Sequence, residues 1–144
     1  MRKIIFILFA SLLLASCGKD DENFNNAVPD PTGTASYTLV SNTWSGGCEN
    51  PIDWLTFTGR LNLQAVSILT VGKVNGLGNI TKIPTSGLWS NEAAAILNYG
   101  YIVKKSDNTY IRVFISNLEE RWEVYNGTTY TRFFCTIKYA ILNP

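Results

Sequence analysis

Residues 132–141 read RFFCTIKYAI, and apolar side chains recur at every second position. The recurring set is Phe133, Cys135, Ile137, Tyr139 and Ile141, and the alternate positions include Arg132, Thr136 and Lys138. A period of two residues puts the recurring side chains on one face of an extended chain and the intervening ones on the other. The stretch therefore predicts a β-strand with one buried face.

The segments before this strand carry the same signal. Residues 110–116 alternate with Ile111, Val113 and Ile115 on one face, and residues 99–105 are rich in aromatic and β-branched side chains. Two turns separate the runs: residues 106–109 read SDNT, and Asn126-Gly127 is a strong signal for a two-residue hairpin turn. The C-terminal half is thus predicted to be a meander of about four antiparallel strands.

The N-terminal half is less regular. Short strands are predicted at residues 37–40, 55–57 and 66–71, and the glycines of residues 71–84 are interpreted as turns or bulges. Residues 90–97 fit either a short helix capped by Ser90 or the approach to the strand at Tyr99, because short apolar runs suit both. The predicted fold is all-β, an antiparallel β-sandwich or a small open barrel with at most one short helix.

The chain begins with features of an export signal. Arg2 and Lys3 precede the apolar residues 4–14, a run shorter than the roughly 20 residues that span a membrane. The run ends in LASC at residues 14–17, which resembles the bacterial lipobox. The resemblance implies that residues 1–16 are a lipoprotein signal peptide and that Cys17 carries a diacylglyceryl group and usually a third acyl chain. An ordinary secretory signal with a chance cysteine is the alternative.

The residues after Cys17 carry a second signal. GKDDE at residues 18–22 resembles the export signal of Bacteroidota lipoproteins sent to the outer face of the outer membrane. A solvated acidic linker is the alternative. Residues 71–87 and 100–103 also resemble segments of Bacteroidota lipoproteins of unknown function, a resemblance that implies no catalytic residues. We predict a tether over residues 17–36, a single β domain over residues 37–144, and a lipid-anchored protein that faces the cell exterior.

Two cysteines lie in the predicted domain. Cys48 follows a glycine pair, and Cys135 is on the apolar face of the last strand. In an oxidising compartment the two could form a disulfide. The alternative is that Cys135 is a small, unpaired core residue.

Little in the sequence indicates catalysis. The chain has no histidine, so the commonest general base and the commonest zinc ligand are absent. Glu119, Glu120 and Glu123 fit a solvated strand edge, and Asp53 fits a turn. Lys and Arg number 12 against 11 Asp and Glu, so no basic surface for nucleic acid is expected. We predict no enzyme activity, no metal and no cofactor.

The tryptophans give the clearest hint of a ligand. Trp44, Trp54 and Trp89 lie in segments rich in Gly, Ser, Asn or Pro, and loop aromatics on a β scaffold often form binding surfaces. The alternative is that these rings cover the ends of a small core. The predicted function is a binding module for a glycan or a protein. An accessory subunit of an outer-membrane complex and a small carboxylate-dependent glycosidase are the alternatives.

Overall fold

The structure, a computed structural model, describes residues 27–42, 48–49, 52–58 and 61–144. Within these ranges the chain forms eight strands and a single turn of 3-10 helix at Leu77–Asn79. The strands are β1 (Ala35–Asn42), β2 (Cys48–Glu49), β3 (Thr56–Thr58), β4 (Asn62–Lys73), β5 (Ser90–Ala94), β6 (Tyr99–Lys104), β7 (Tyr110–Tyr125) and β8 (Thr128–Ile141). Every strand pairing is antiparallel.

The strands form one strongly curled sheet. Its order is β2-β1-β8-β7-β6-β4-β3, and β5 pairs with β4 outside this path. The edge strand β3 comes close to β1 and β2 at the other end of the sheet, so the sheet nearly closes on itself. The predicted all-β class is confirmed, in the form of a small open barrel.

The alternating side chains of the strands fill the barrel. Ile111, Val113, Ile115, Cys135 and Ile137 are all buried in one core cluster, on the faces that the sequence pattern predicts. A second, smaller cluster lies on the opposite face of the sheet. Its buried members are Leu69, Leu77, Ile80, Ile102, Phe114, Ala140 and Leu142. The 3-10 turn thus covers the outside of the sheet with Leu77 and Ile80.

The C-terminal meander has three strands rather than the predicted four. β7 runs without a break from Tyr110 to Tyr125, and a register shift against β8 between Ile115 and Asn117 marks a β-bulge. Before the bulge the odd-numbered side chains of β7 point inward, and after it the even-numbered ones do. In the sequence this shift looks the same as the end of one strand and the start of another. The Asn126-Gly127 turn is confirmed, with positive φ of 50° and 76° as a type I′ turn requires.

The alternative of a helix at residues 90–97 is wrong. Ser90–Ala94 is strand β5, paired with β4. The chain after it is fixed by Tyr101, whose hydroxyl donates a 2.6 Å hydrogen bond to the Ala94 carbonyl and accepts a 3.0 Å bond from the Ile96 amide. Sheet pairing and this buried hydroxyl satisfy backbone groups that a helix would have bonded internally.

The glycine-rich segment has the structural roles that its sequence predicts. Gly72 lies at a register shift between β4 and β6 with φ of 106°. A Cβ at Gly78 would come within 2.2 Å of the Pro29 carbonyl oxygen, so only glycine lets the two backbones approach.

Part of the predicted tether packs against the body. Asp30 pairs with Lys138 at 2.7 Å, and β1 already begins at Ala35. Residues 1–26, including Cys17 and the acidic signal after it, lie outside the described residues, as does Trp44.

No disulfide is seen at Cys135, which is a free, buried thiol. The strand register supplies the reason. Cys48 is opposite Ser41 on β1, Ser41 is opposite Phe133 on β8, and Cys135 is opposite Leu39. The backbone of Cys48 is therefore two strands away from that of Cys135, on the order of 10 Å, whereas a disulfide requires Cα atoms less than about 7 Å apart. The predicted bridge is not confirmed, and Cys135 is a core residue.

Candidate ligand-binding groove

A groove opens where β4 changes partners. β3 pairs with residues 62–64 of β4, and β6 pairs with residues 67–73. Ala65 and Val66 lie in the gap between these two partners. Val66 is 71 % exposed there, so the gap leaves an apolar side chain at the surface.

The groove consists of two adjoining cavities. The larger has a volume of about 370 Å³ and is lined by Asp53, Trp54, Thr56, Gln64, Ala65, Val66 and Asn91. The smaller, of about 90 Å³, shares Asp53, Trp54 and Val66 and continues to Lys104, Lys105 and Ser106. Together they form a shallow channel that passes Trp54.

Trp54 has two roles in this arrangement. Its ring is half-buried and meets the Tyr139 ring edge to face, with centroids 5.3 Å apart and planes at 68°. This contact joins it to the barrel core, as expected of an amphipathic ring at the end of a small core. The same ring lines both cavities, so the core holds an aromatic wall of the groove in place.

Trp89 lies outside the lining of either cavity. It is 40 % exposed and packs against Tyr110 with ring centroids 6.2 Å apart. The ammonium group of Lys104, which lines the smaller cavity, lies 5.7 Å from the centre of the Tyr110 ring. Trp54 and Trp89 therefore do not share either of these two cavities of the described part of the chain.

The polar groups of the groove are amides, hydroxyls, ammonium groups and a carboxylate. Glu92, beside the lining, accepts hydrogen bonds from Asn62 and, at 3.5 Å, from the amide of Gln64. The second of these bonds directs the Gln64 amide toward Glu92 at the edge of the larger cavity. Amides and a carboxylate beside an aromatic ring can exchange hydrogen bonds with a ligand rich in hydroxyl groups.

The carboxylates considered as catalytic candidates lie mostly elsewhere. Glu119, Glu120 and Glu123 are on β7, and only Asp53 reaches the groove. Glu119 forms two hydrogen bonds with Arg121, of 2.8 and 2.9 Å, and these hold the pKa of its carboxyl group below its usual range. A carboxylate with a lowered pKa is a poor general acid near neutral pH.

Most of the groove lining could not be identified from the sequence. Gln64, Val66, Asn91 and Lys104 lie on three different strands and carry no motif. The sequence does not indicate Trp122 as a ligand-binding residue either, because it lies in a predicted strand, yet its side chain is 71 % exposed. The one available signal was residue type: a tryptophan next to an aspartate in a turn.

Comparisons with known proteins provide no family for the chain. No family model, no curated protein and no solved structure matches it. Among the described residues, no helix has the length and apolar character needed to cross a membrane. In the same part of the chain, no three His, Cys, Asp or Glu side chains cluster as metal ligands would.

Proposed function

We propose that this protein is a lipid-anchored, non-enzymatic binding module of the outer membrane whose groove at Trp54 binds a glycan. The observation that supports this proposal is the groove itself. Its Trp54 ring is held against the core by Tyr139 and lies beside Asp53, Gln64 and Asn91. The membrane location is supported by the sequence features around Cys17.

The chemistry of the groove suits a sugar better than an apolar ligand. The apolar face of a sugar ring can pack on Trp54 and Val66, and its hydroxyls can bond to Asp53 and Asn91. The volume of about 370 Å³ is at the small end of the range for ligand sites, roughly 300–1,000 Å³. The smaller cavity continues the groove toward Lys105, the direction in which the next unit of a sugar chain would extend.

The groove can be tested without disturbing the core. Val66→Arg fills the gap with a charged side chain at an exposed position, and Asn91→Ala removes an exposed amide from the wall. Each variant should lower the affinity for any oligosaccharide that the wild-type protein captures on a glycan array by about tenfold or more, measured by calorimetry. Trp122→Ala is the matched control, because it removes an exposed aromatic ring outside the groove.

If Val66→Arg and Asn91→Ala bind the captured oligosaccharide as tightly as Trp122→Ala does, the groove is not the binding site. Failure of the wild-type protein to retain any oligosaccharide on the array would contradict the glycan proposal itself.

The anchor is tested separately. Cys17→Ala should abolish incorporation of a labelled fatty acid, because the acylated thiol is lost, whereas Cys48→Ala should label as the wild-type protein does. Protease added to intact cells should degrade the wild-type protein if it faces the exterior. A labelled Cys17→Ala protein would contradict the anchor, and complete protection from protease would contradict the outward orientation.

A further inference from the structure

The long strand β7 has an open edge. Its pairing with β6 ends at Phe114, and a last hydrogen bond on that side joins the Asn98 amide to the Ile115 carbonyl at 3.0 Å. Beyond the bulge, residues 117–125 pair with β8 alone. Among the described strands, this edge of β7 therefore has no partner over nine residues, 117–125.

The turn determines which backbone groups the open edge presents. Tyr125 and Thr128 flank the two-residue turn and are opposite each other, which makes them a hydrogen-bonded pair. Because bonded and non-bonded pairs alternate along an antiparallel ladder, the amides and carbonyls of Leu118, Glu120, Trp122 and Val124 point away from β8. An exposed row of such groups is a template for another strand.

Side chains on the two faces of this edge differ in character. Trp122 and Val124 share one face with Glu120, and they are 71 % and 72 % exposed. The other face carries Glu119, Arg121 and Glu123 in alternating charge order, and their side chains are 41–54 % exposed.

We propose that the open β7 edges of two copies of this chain pair antiparallel about a two-fold axis at Trp122. In this register Trp122 lies opposite Trp122 of the second copy, and Glu120 lies opposite Val124. Arg121 lies opposite Glu123 of the second copy, and the symmetry forms this pair twice. All four outward-pointing residues of each edge then lie opposite a strand residue of the other copy or its turn.

Charge complementarity selects this register. A register centred on Arg121 would place two arginines opposite each other, and it would place Glu119 opposite Glu123. Registers centred on Glu120 or Glu123 would each place two glutamates opposite each other. Because like charges directly opposite are destabilising across a strand pair, the register centred on Trp122 is favoured.

Charge reversal gives a direct test by sedimentation or light scattering on the purified full-length protein, from dilute solution up to its solubility limit. The wild-type protein should dimerise. Arg121→Glu and Glu123→Arg should each weaken dimerisation by about tenfold or more, because each creates two like-charge pairs. An equimolar mixture of the two variants should dimerise again, and so should the double variant Arg121→Glu/Glu123→Arg. Lys82→Glu reverses an exposed charge away from β7 and should leave dimerisation unchanged.

Cross-linking tests the register on a Cys48→Ser background. Trp122→Cys should give a covalent dimer under mild oxidation, because the symmetry places residue 122 opposite itself at a Cα distance of about 5.5 Å. Val124→Cys is the matched control: it lies opposite residue 120, so its own copy is too far away to bridge. A wild-type protein that stays monomeric, a mixture that fails to restore the dimer, or equal cross-linking of the two cysteine variants would overturn the proposal.

Discussion

Raising the pH from about 8 to about 11 is expected to lower the free energy of unfolding by about 4 kcal/mol. Burial raises the pKa of the Cys135 thiol from 9.0 to about 12 and that of the Tyr101 phenol from 10.0 to about 12. The unfolded chain releases the thiol proton above pH 9 and the phenol proton above pH 10, while the folded chain retains both. The folded state then binds more protons, so stability is fully present below pH 9 and falls as the pH rises toward 12.

Urea denaturation across this pH range measures the effect. Cys135→Ala should lose the part of the decline that begins near pH 9 and keep the part that begins near pH 10, which belongs to Tyr101. The slope with pH is compared within each variant, so the stability lost through the substitution itself cancels. Identical slopes for the wild-type protein and Cys135→Ala would contradict the assignment to Cys135.

Phe57→Ala is expected to destabilise the protein by about 3–5 kcal/mol. Phe57 is fully buried in the barrel core, and it is the central residue of β3, a strand of only three residues. β3 pairs with β4 on one side and comes close to β1 and β2 on the other, so its anchorage closes the barrel. Losing the ring leaves a cavity in the core beneath this short strand.

Ile141→Ala is the matched control for Phe57→Ala. Ile141 is an exposed residue on β8, and its truncation should change the free energy of unfolding by less than about 0.5 kcal/mol. Equal effects of the two substitutions, measured by urea denaturation, would show that β3 does not contribute to the stability of the barrel.

The local features of the fold could be predicted from the sequence. The alternation in β7 and through residues 133–139 of β8 depends on only a few neighbouring residues, as does the Asn126-Gly127 turn, and the structure has these features as predicted. The exception is Ile141 at the end of β8, which is exposed although the pattern places it on the buried face. The continuity of β7 could not be predicted, because a bulge and a strand end produce the same break in the pattern. The strand at Ser90–Ala94 was ambiguous because its residues suit a helix as well, and its pairing with β4 decides between them.

The groove could be predicted from the sequence even less than the fold could. Trp54 could be singled out by residue type and position in a loop, but Val66, Asn91 and Lys104 become its neighbours only through the strand register. The gap that exposes Val66 exists because β3 and β6 pair with different parts of β4. A register set by long-range pairing leaves no mark in the sequence near any one of these residues.

The pairing of the first described strand with the last one has a consequence for how the molecule reaches its native state. Thr38 on β1 bonds to Thr136 on β8 across 98 residues, and Ser36 bonds to Ile137 across 101. This gives the domain a high contact order, and domains dominated by such distant pairings fold in about milliseconds to seconds. β1 cannot form this pairing until the residues of β8, Thr128–Ile141, are available to it. A chain lacking β8 would therefore leave β1 and β7 as open edges prone to aggregation.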